Sequence, residues 1–222
     1  YEGIAIIGIT GRFPGAVNVD EYWRNLVAGV ESISTFSDAE LAAAGLDPAE
    51  VAKIPDYVRA RGLLADADCF DASFFGINPK EAEATDPQQR VFLEAAWSAL
   101  ESAGYVPDAY RGAIGLFAGM SNNTYYLHNL HGRRDVTQLV GWLTTMMGNE
   151  KDYLATRVAY KLNLKGPALN LYTACSTSLV AVCQAVQQLQ SFACDIALAG
   201  GVSISFPQHR GYQFQEGGIT SP

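Results

Sequence analysis

The stretch from Pro167 to Ser205 constrains the fold more than any other part of the chain. An apolar run, Pro167 to Thr173, hands over at Ala174-Cys175 to a helical segment, Ser176 to Ser191, and a further apolar run follows from Cys194 to Ser205. Short apolar runs bounded by turn residues suit strands buried on both faces, so the second run is read as a strand returning to the same sheet, interrupted by Gly200-Gly201. Ala113 to Met120 adds another buried strand, Glu150 to Leu162 a helix, and Gly3-Ile4-Ala5-Ile6-Ile7-Gly8-Ile9 an opening core strand. Strands alternating with helices predict an α/β layered fold with a largely parallel sheet.

Helix starts are written in the capping residues. Asn18 with Glu21, and Ser37 with Glu40, have the spacing at which two side chains satisfy the first free N–H groups of a helix, so helices are expected from near 19 and near 38, the second stopped by Gly45. Asp86-Pro87-Gln88-Gln89 combines a capping residue, proline at the first helical position and glutamine at the third, and predicts a helix through Leu100 to Gly104. In the segment 176–191, Leu179, Val182, Val186 and Leu189 recur at steps of three and four and predict one deeply packed apolar face, with Ala181 and Ala185 permitting close approach beside it.

With 222 residues, 49% hydrophobic and 17% charged, the chain has ordinary globular composition and enough length for one large core. A net charge of -8 argues against non-specific binding to nucleic acid or an anionic membrane, because only Arg133-Arg134 cluster basic charge. No apolar run approaches the roughly 20 residues a spanning helix needs, and no basic-then-apolar leader opens the chain, so a cytoplasmic location is expected. The first residue is Tyr1 and the last ones, Gly217 to Pro222, read as a turn, so the chain is expected to be an excised piece of a longer one. Cys69, Cys175, Cys183 and Cys194 lie far apart or inside apolar segments, without a C-x-x-C pair, and are read as free thiols.

Cys175 stands where a buried strand gives way to a helix. There its thiol meets the positive end of the helix dipole and unpaired backbone N–H groups, which favour the thiolate and can also hold an oxyanion when a thioester is attacked. Position alone leaves two readings open, a nucleophile or a small buried hydrophobe. Cys69, Cys183 and Cys194 lack the placement and are read as structural. An α/β-hydrolase elbow would need glycines where Thr173 and Thr177 stand, and no histidine has the setting of a cysteine-protease partner. His128 and His131 read as loop or turn residues rather than metal ligands, and His209 has no recognisable setting either. Gly8, Gly11 and Gly15 have the wrong spacing for a dinucleotide fingerprint and read as turn residues.

Thr173-Ala174-Cys175-Ser176-Thr177-Ser178-Leu179-Val180-Ala181 and Asp195-Ile196-Ala197-Leu198-Ala199-Gly200-Gly201-Val202 closely resemble the nucleophile region of the ketosynthase (β-ketoacyl synthase) domain of modular type I polyketide synthases. The likeness extends through Ile4 to Gly8, Arg12-Phe13-Pro14-Gly15, Phe70 to Gly76, Asp86 to Gly104, and Gly148-Asn149 to Pro167, and so covers nearly all of residues 1–222 in order. It implies a thiolase-like fold of α-β-α-β-α layers, of which this chain would be the first half, with a mixed, mostly parallel sheet. It implies that Cys175 accepts an acyl chain from the phosphopantetheine arm of an acyl carrier protein, that its backbone N–H serves the oxyanion, and that decarboxylative attack by a malonyl unit then gives a β-ketoacyl thioester. No bound cofactor is implied.

The family takes two histidines, a lysine and a second oxyanion donor from its later half, so this chain alone is expected to lack condensation activity. The resemblance assigns no role to His128, His131 or His209. It implies a homodimer joined through the region Pro167 to Thr173 and a contribution of Thr144-Thr145-Met146-Met147 to the partner's acyl tunnel, which makes Met146 and Met147 candidate substrate contacts; a core role suits these two methionines equally. Thr10, Tyr172 and Cys183 depart from the family's commonest residues, Cys, Asp and His respectively, in the manner of ketosynthases from mixed peptide-polyketide or separately loaded assembly lines. A rival reading of the same fold is a non-catalytic half-domain that acts as a folding or dimerisation unit.

Overall fold

The computed structural model describes residues 3–222. In chain order its elements are α1 (Val19–Ala28), β1 (Ile33–Thr35), α2 (Asp38–Ala43), α3 (Pro48–Val51), β2 (Tyr57–Val58), β3 (Ala60–Gly62), α4 (Pro79–Glu83), α5 (Pro87–Ser102), β4 (Ile114–Met120), a π-helical turn (Tyr126–Leu130), α6 (Arg134–Val140), α7 (Trp142–Asn149), a 3-10 turn (Lys151–Tyr153), α8 (Leu154–Lys161), β5 (Ala168–Asn170), a 3-10 turn (Ala174–Ser176), α9 (Thr177–Gln190), β6 (Ile196–Val202) and β7 (Tyr212–Gln213). The chain divides into two compact units, 3–10 with 67–205, and 11–66 with 206–222.

The larger unit is built on a parallel three-stranded sheet, ordered β5-β4-β6. All seven residues of β4 are buried, as its continuous apolar sequence requires. Its alternate side chains serve two layers. Ile114, Leu116, Ala118 and Met120 join Phe92, Leu93, Leu100, Leu154 and Val158 from α5 and α8, whereas Phe117 faces Ala181 and Ala185 of α9. Helices therefore cover both faces of the sheet, the α/β/α layering expected from strands that alternate with helices.

α5 begins where Asp86 caps it, its Oδ1 accepting from Gln88 N at 2.8 Å, and it ends before Gly104, whose φ of +78° a side chain would disfavour. Gln89 does not close a capping box. Its Nε2 donates instead to the carbonyls of Met147 and Glu150, while the N–H of Asp86 is taken by Gly148 O. In the smaller unit the Ser37–Glu40 box is complete around α2, and Asn18 caps α1 through Glu21 N. That unit packs Phe36, Leu41 and Val51 under two antiparallel pairs, β1 with β3 and β2 with β7, which are too short to carry a readable alternation.

Several expectations are corrected. Residues 3–9 form no strand: Ile6 is 86% exposed, and Gly8 lies so close to α5 that a Cβ there would sit 2.6 Å from Ala99 O. Apolar content marks a segment that can pair, but a strand exists only where a neighbour meets its N–H and C=O groups. The deeply packed face predicted for α9 is also displaced. Leu179 is 66% exposed and Val182 is exposed, whereas Ala181 and Ala185 are buried. The sheet surface under α9 is floored by Gly115, Phe117 and Gly119, and a helix seated on glycines approaches closest through its own smallest side chains. His128 falls in the π-helical turn, within the loop-or-turn reading, whereas Cys69 and Cys183 are exposed rather than core residues.

Candidate active site

The parallel strands point their C-terminal ends at one edge of the sheet. β5 runs out there, Leu171 N still donating to Ala118 O at 2.8 Å, and the chain then turns through Ala174–Ser176 into α9. Ala174 is held at φ +52°, a left-handed conformation that costs an alanine about 1–2 kcal/mol and that the surroundings must enforce. They do so through a small hydroxyl network. Thr173 N donates to Thr177 Oγ1 at 3.0 Å, that hydroxyl donates to Ala174 O at 2.8 Å, and Ser176 Oγ donates to Thr173 O at 2.7 Å.

Cys175 rides on this turn with an exposed thiol, one residue before the N-cap of α9. Ser176 occupies the cap position but directs its hydroxyl back to Thr173 O, so the first-turn N–H groups of α9 take no bond from it. The arrangement joins an accessible thiol to backbone donors at the positive end of a helix of 14 residues.

Glycines set the height of the turn. A Cβ on Gly119 would run into the carbonyl oxygen of Leu171 and Cγ2 of Thr177, so β4 must be bare where the segment leading into α9 crosses it. Gly201 on β6 is looser, its missing Cβ 3.4 Å from Cβ of Ser178. The sequence marked Gly200-Gly201 only as an interruption of an apolar run; Gly119 was hidden inside β4, with nothing in the local pattern to set it apart.

Polar residues around the turn were equally unannounced. Asn170, at the end of β5, accepts from Ala155 N at 2.8 Å and donates to Asp152 O, tying the strand to the start of α8. Burial and the neighbouring Asp152 push the Tyr172 hydroxyl above the ordinary tyrosine range, so it stays protonated, and Lys151 Nζ lies 5.8 Å from its ring centre. Lys151 also donates to Asn122 Oδ1 at 2.6 Å, in the loop after β4.

Of the other residues singled out, Met146 and Met147 are half-buried on α7, which packs against α4, α6 and the 151–153 turn. His131 stacks edge-on against Tyr126, and His209 lies tilted against Phe36. Cys194 is buried between Gly115 and the α9 layer, and burial pushes its thiol up. Among the described residues no cluster of His, Cys, Asp and Glu could hold a metal ion, and no helix is long and apolar enough to cross a membrane.

Comparison with known proteins identifies the family and the fold. Residues 1–222 match the family described as "Beta-ketoacyl synthase, N-terminal domain". The chain is 45% identical over 224 aligned residues to a phenolphthiocerol/phthiocerol polyketide synthase component of Mycobacterium tuberculosis, covering 98% of this chain and 15% of that protein. Its identity to the pikromycin polyketide synthase component PikAII of Streptomyces venezuelae is 44%, over 91% of this chain and 5% of that one. Among solved structures, ketosynthase twelve of the bacillaene polyketide synthase from Bacillus amyloliquefaciens superposes with a TM-score of 0.84 at 37% identity, covering 96% of this chain and 37% of that one. An oxazolomycin ketosynthase domain from Streptomyces albus gives 0.75 at 32% identity, covering 92% of this chain and 35% of that one. The chain thus spans a minor part of the relatives it matches. It has the thiolase-like fold of these neighbours, and it belongs to the β-ketoacyl synthase family, matching the N-terminal part of polyketide-synthase ketosynthase domains.

Proposed function

We propose that the chain is the nucleophile-bearing part of an acyltransferase that extends polyketide chains by decarboxylative Claisen condensation. The observation that supports this most directly is the exposed Cys175 thiol on a strained turn that opens α9. In the first step the Cys175 thiolate attacks the carbonyl carbon of an acyl thioester carried on the phosphopantetheine arm of an acyl carrier protein. The carbonyl oxygen takes the negative charge beside the first-turn N–H groups of α9. As the carbonyl reforms, the bond to the arm's sulfur breaks, and that sulfur takes up the proton given up by Cys175. In the second step a malonyl-type unit on the carrier loses CO2, its α-carbon bonds to the Cys175 thioester carbon, and Cys175 leaves as thiolate.

The enolate of the second step needs hydrogen-bond donors that the proposal assigns to the remaining half of the ketosynthase, not to His128, His131 or His209. Pairing of two copies along Pro167 to Thr173, contact of Met146 and Met147 with the acyl chain, a cytoplasmic location and function without a bound cofactor belong to the same proposal and rest on the family likeness.

The test uses the full-length protein that carries this sequence. Incubation with an acyl thioester and mass mapping should find one acyl group on Cys175, absent in Cys175→Ala. An adduct unchanged in that variant would sink the assignment. A second reading, in which the chain serves folding or association, draws on the exposed Leu179, Val182 and Ile6; it is favoured if Cys175 stays unmodified while sedimentation shows concentration-dependent association.

A further inference from the structure

Gln88 is fully buried in the first turn of α5, and its side-chain amide stands where the pairing of β4 and β6 runs out. The last backbone bond between these strands runs from Ser121 N to Val202 O at 3.0 Å. Oε1 of Gln88 shares that N–H, at 3.2 Å from Ser121 N, and also accepts from Ser121 Oγ at 2.6 Å and from Ile204 N at 3.2 Å. Its Nε2 donates to Asn122 O at 3.3 Å and to Asp86 Oδ2 at 3.4 Å. One side chain therefore replaces a peptide group in the ladder and holds the C-terminal ends of both strands to the start of α5.

These are the two strands on which the nucleophile turn rests. Gly119 of β4 touches Leu171 and Thr177, and Gly201 of β6 faces Ser178; each lies two or three residues before a Gln88 contact. The ends of these strands therefore bear on where the turn at 174–176 and the start of α9 sit. We infer that Gln88 is a positioning residue for Cys175, fixing the nucleophile turn through the ends of β4 and β6 without touching the acyl group. This inference rests on Cys175 being the acyl acceptor.

The role is distinguishable from plain stabilisation. A misplaced donor or thiol slows the chemical step at saturation and leaves the half-saturating thioester concentration alone, because ångström errors act on the transition state more than on binding. Gln88→Met removes all the amide's bonds at similar volume. Ser121→Ala removes only the 2.6 Å bond and leaves α5 intact.

In the full-length protein, Cys175 acylation is followed by mass against thioester concentration, with rates expressed per folded molecule by circular dichroism. The expected result is a fall of tenfold or more in the saturating rate for Gln88→Met and about threefold for Ser121→Ala, with the half-saturating concentration within twofold of wild type. If Gln88→Met does not fold, Ser121→Ala decides alone. Wild-type saturating rates per folded molecule in the variants that fold overturn the inference while leaving the acyl acceptor assigned. Failure of the wild type to acylate Cys175 overturns both.

Discussion

Asp86 is a carboxyl group with no exposed surface, placed where a helix must be capped. Burial pushes its pKa from 3.8 up to about 6, against the opposing pull of its hydrogen bonds from Gln88 and of the Arg90 charge. The folded chain consequently binds a proton there more tightly than the unfolded chain does. Unfolding free energy should fall as pH rises from about 4 to 6 and level off above, by up to about 3 kcal/mol from this one group. Asp86→Asn keeps the capping oxygen and has no charge to bury. Denaturant melts of the variant across that pH range should lose this slope, and a slope equal to wild type would show that the carboxyl is not the group titrating.

α9 illustrates how an element's sequence can conceal its orientation. Leu179 and Val182 carry the largest apolar surface, yet the helix sits on Ala181 and Ala185, because what faces it is a glycine-rich strip of β4 with Phe117 at its centre. Ala181→Leu should therefore destabilise by about 1–3 kcal/mol through overpacking, whereas Leu179→Ala should change stability by under about 0.5 kcal/mol. Chemical denaturation of both variants checks the contrast, and a larger loss for Leu179→Ala would restore the leucine face as the buried one. The elements legible in the sequence were those whose signals are local: α5 from Asp86-Pro87 and Gly104, α2 from Ser37 and Glu40, β4 from an unbroken apolar run. The placement of Cys175 at the turn into α9 was legible because a strand-to-helix junction is itself a local signal. Residues 3–9, the short β1, β2, β3 and β7, the buried face of α9, and the parts played by Gly119 and Gln88 were not, since each depends on a partner distant in the chain that no local pattern names.

Taken whole, the chain carries -8 charges at pH 7, with an isoelectric point near 4.8. At pH 7.5 it should leave duplex DNA unshifted at micromolar concentration in a mobility assay, and a turbidity scan should place its lowest solubility close to pH 4.8. Duplex binding at moderate salt would require a basic surface that the sequence lacks. The order of the sheet bears on how such a molecule is made. β4 lies between two strands that follow it in the chain, and the bond from Ala113 N, just before β4, to the Asp195 carboxylate, just before β6, spans 82 residues. At roughly 5–20 residues per second, a ribosome needs about 4–16 s to cover that interval, during which a wholly apolar strand waits without its neighbours. The turn at 174–176, which lies across β4 and against β6, thus takes its place only once Ile196–Val202 has been made, and faster synthesis of that interval or a chaperone that shields Ile114–Met120 should raise the yield of folded chains.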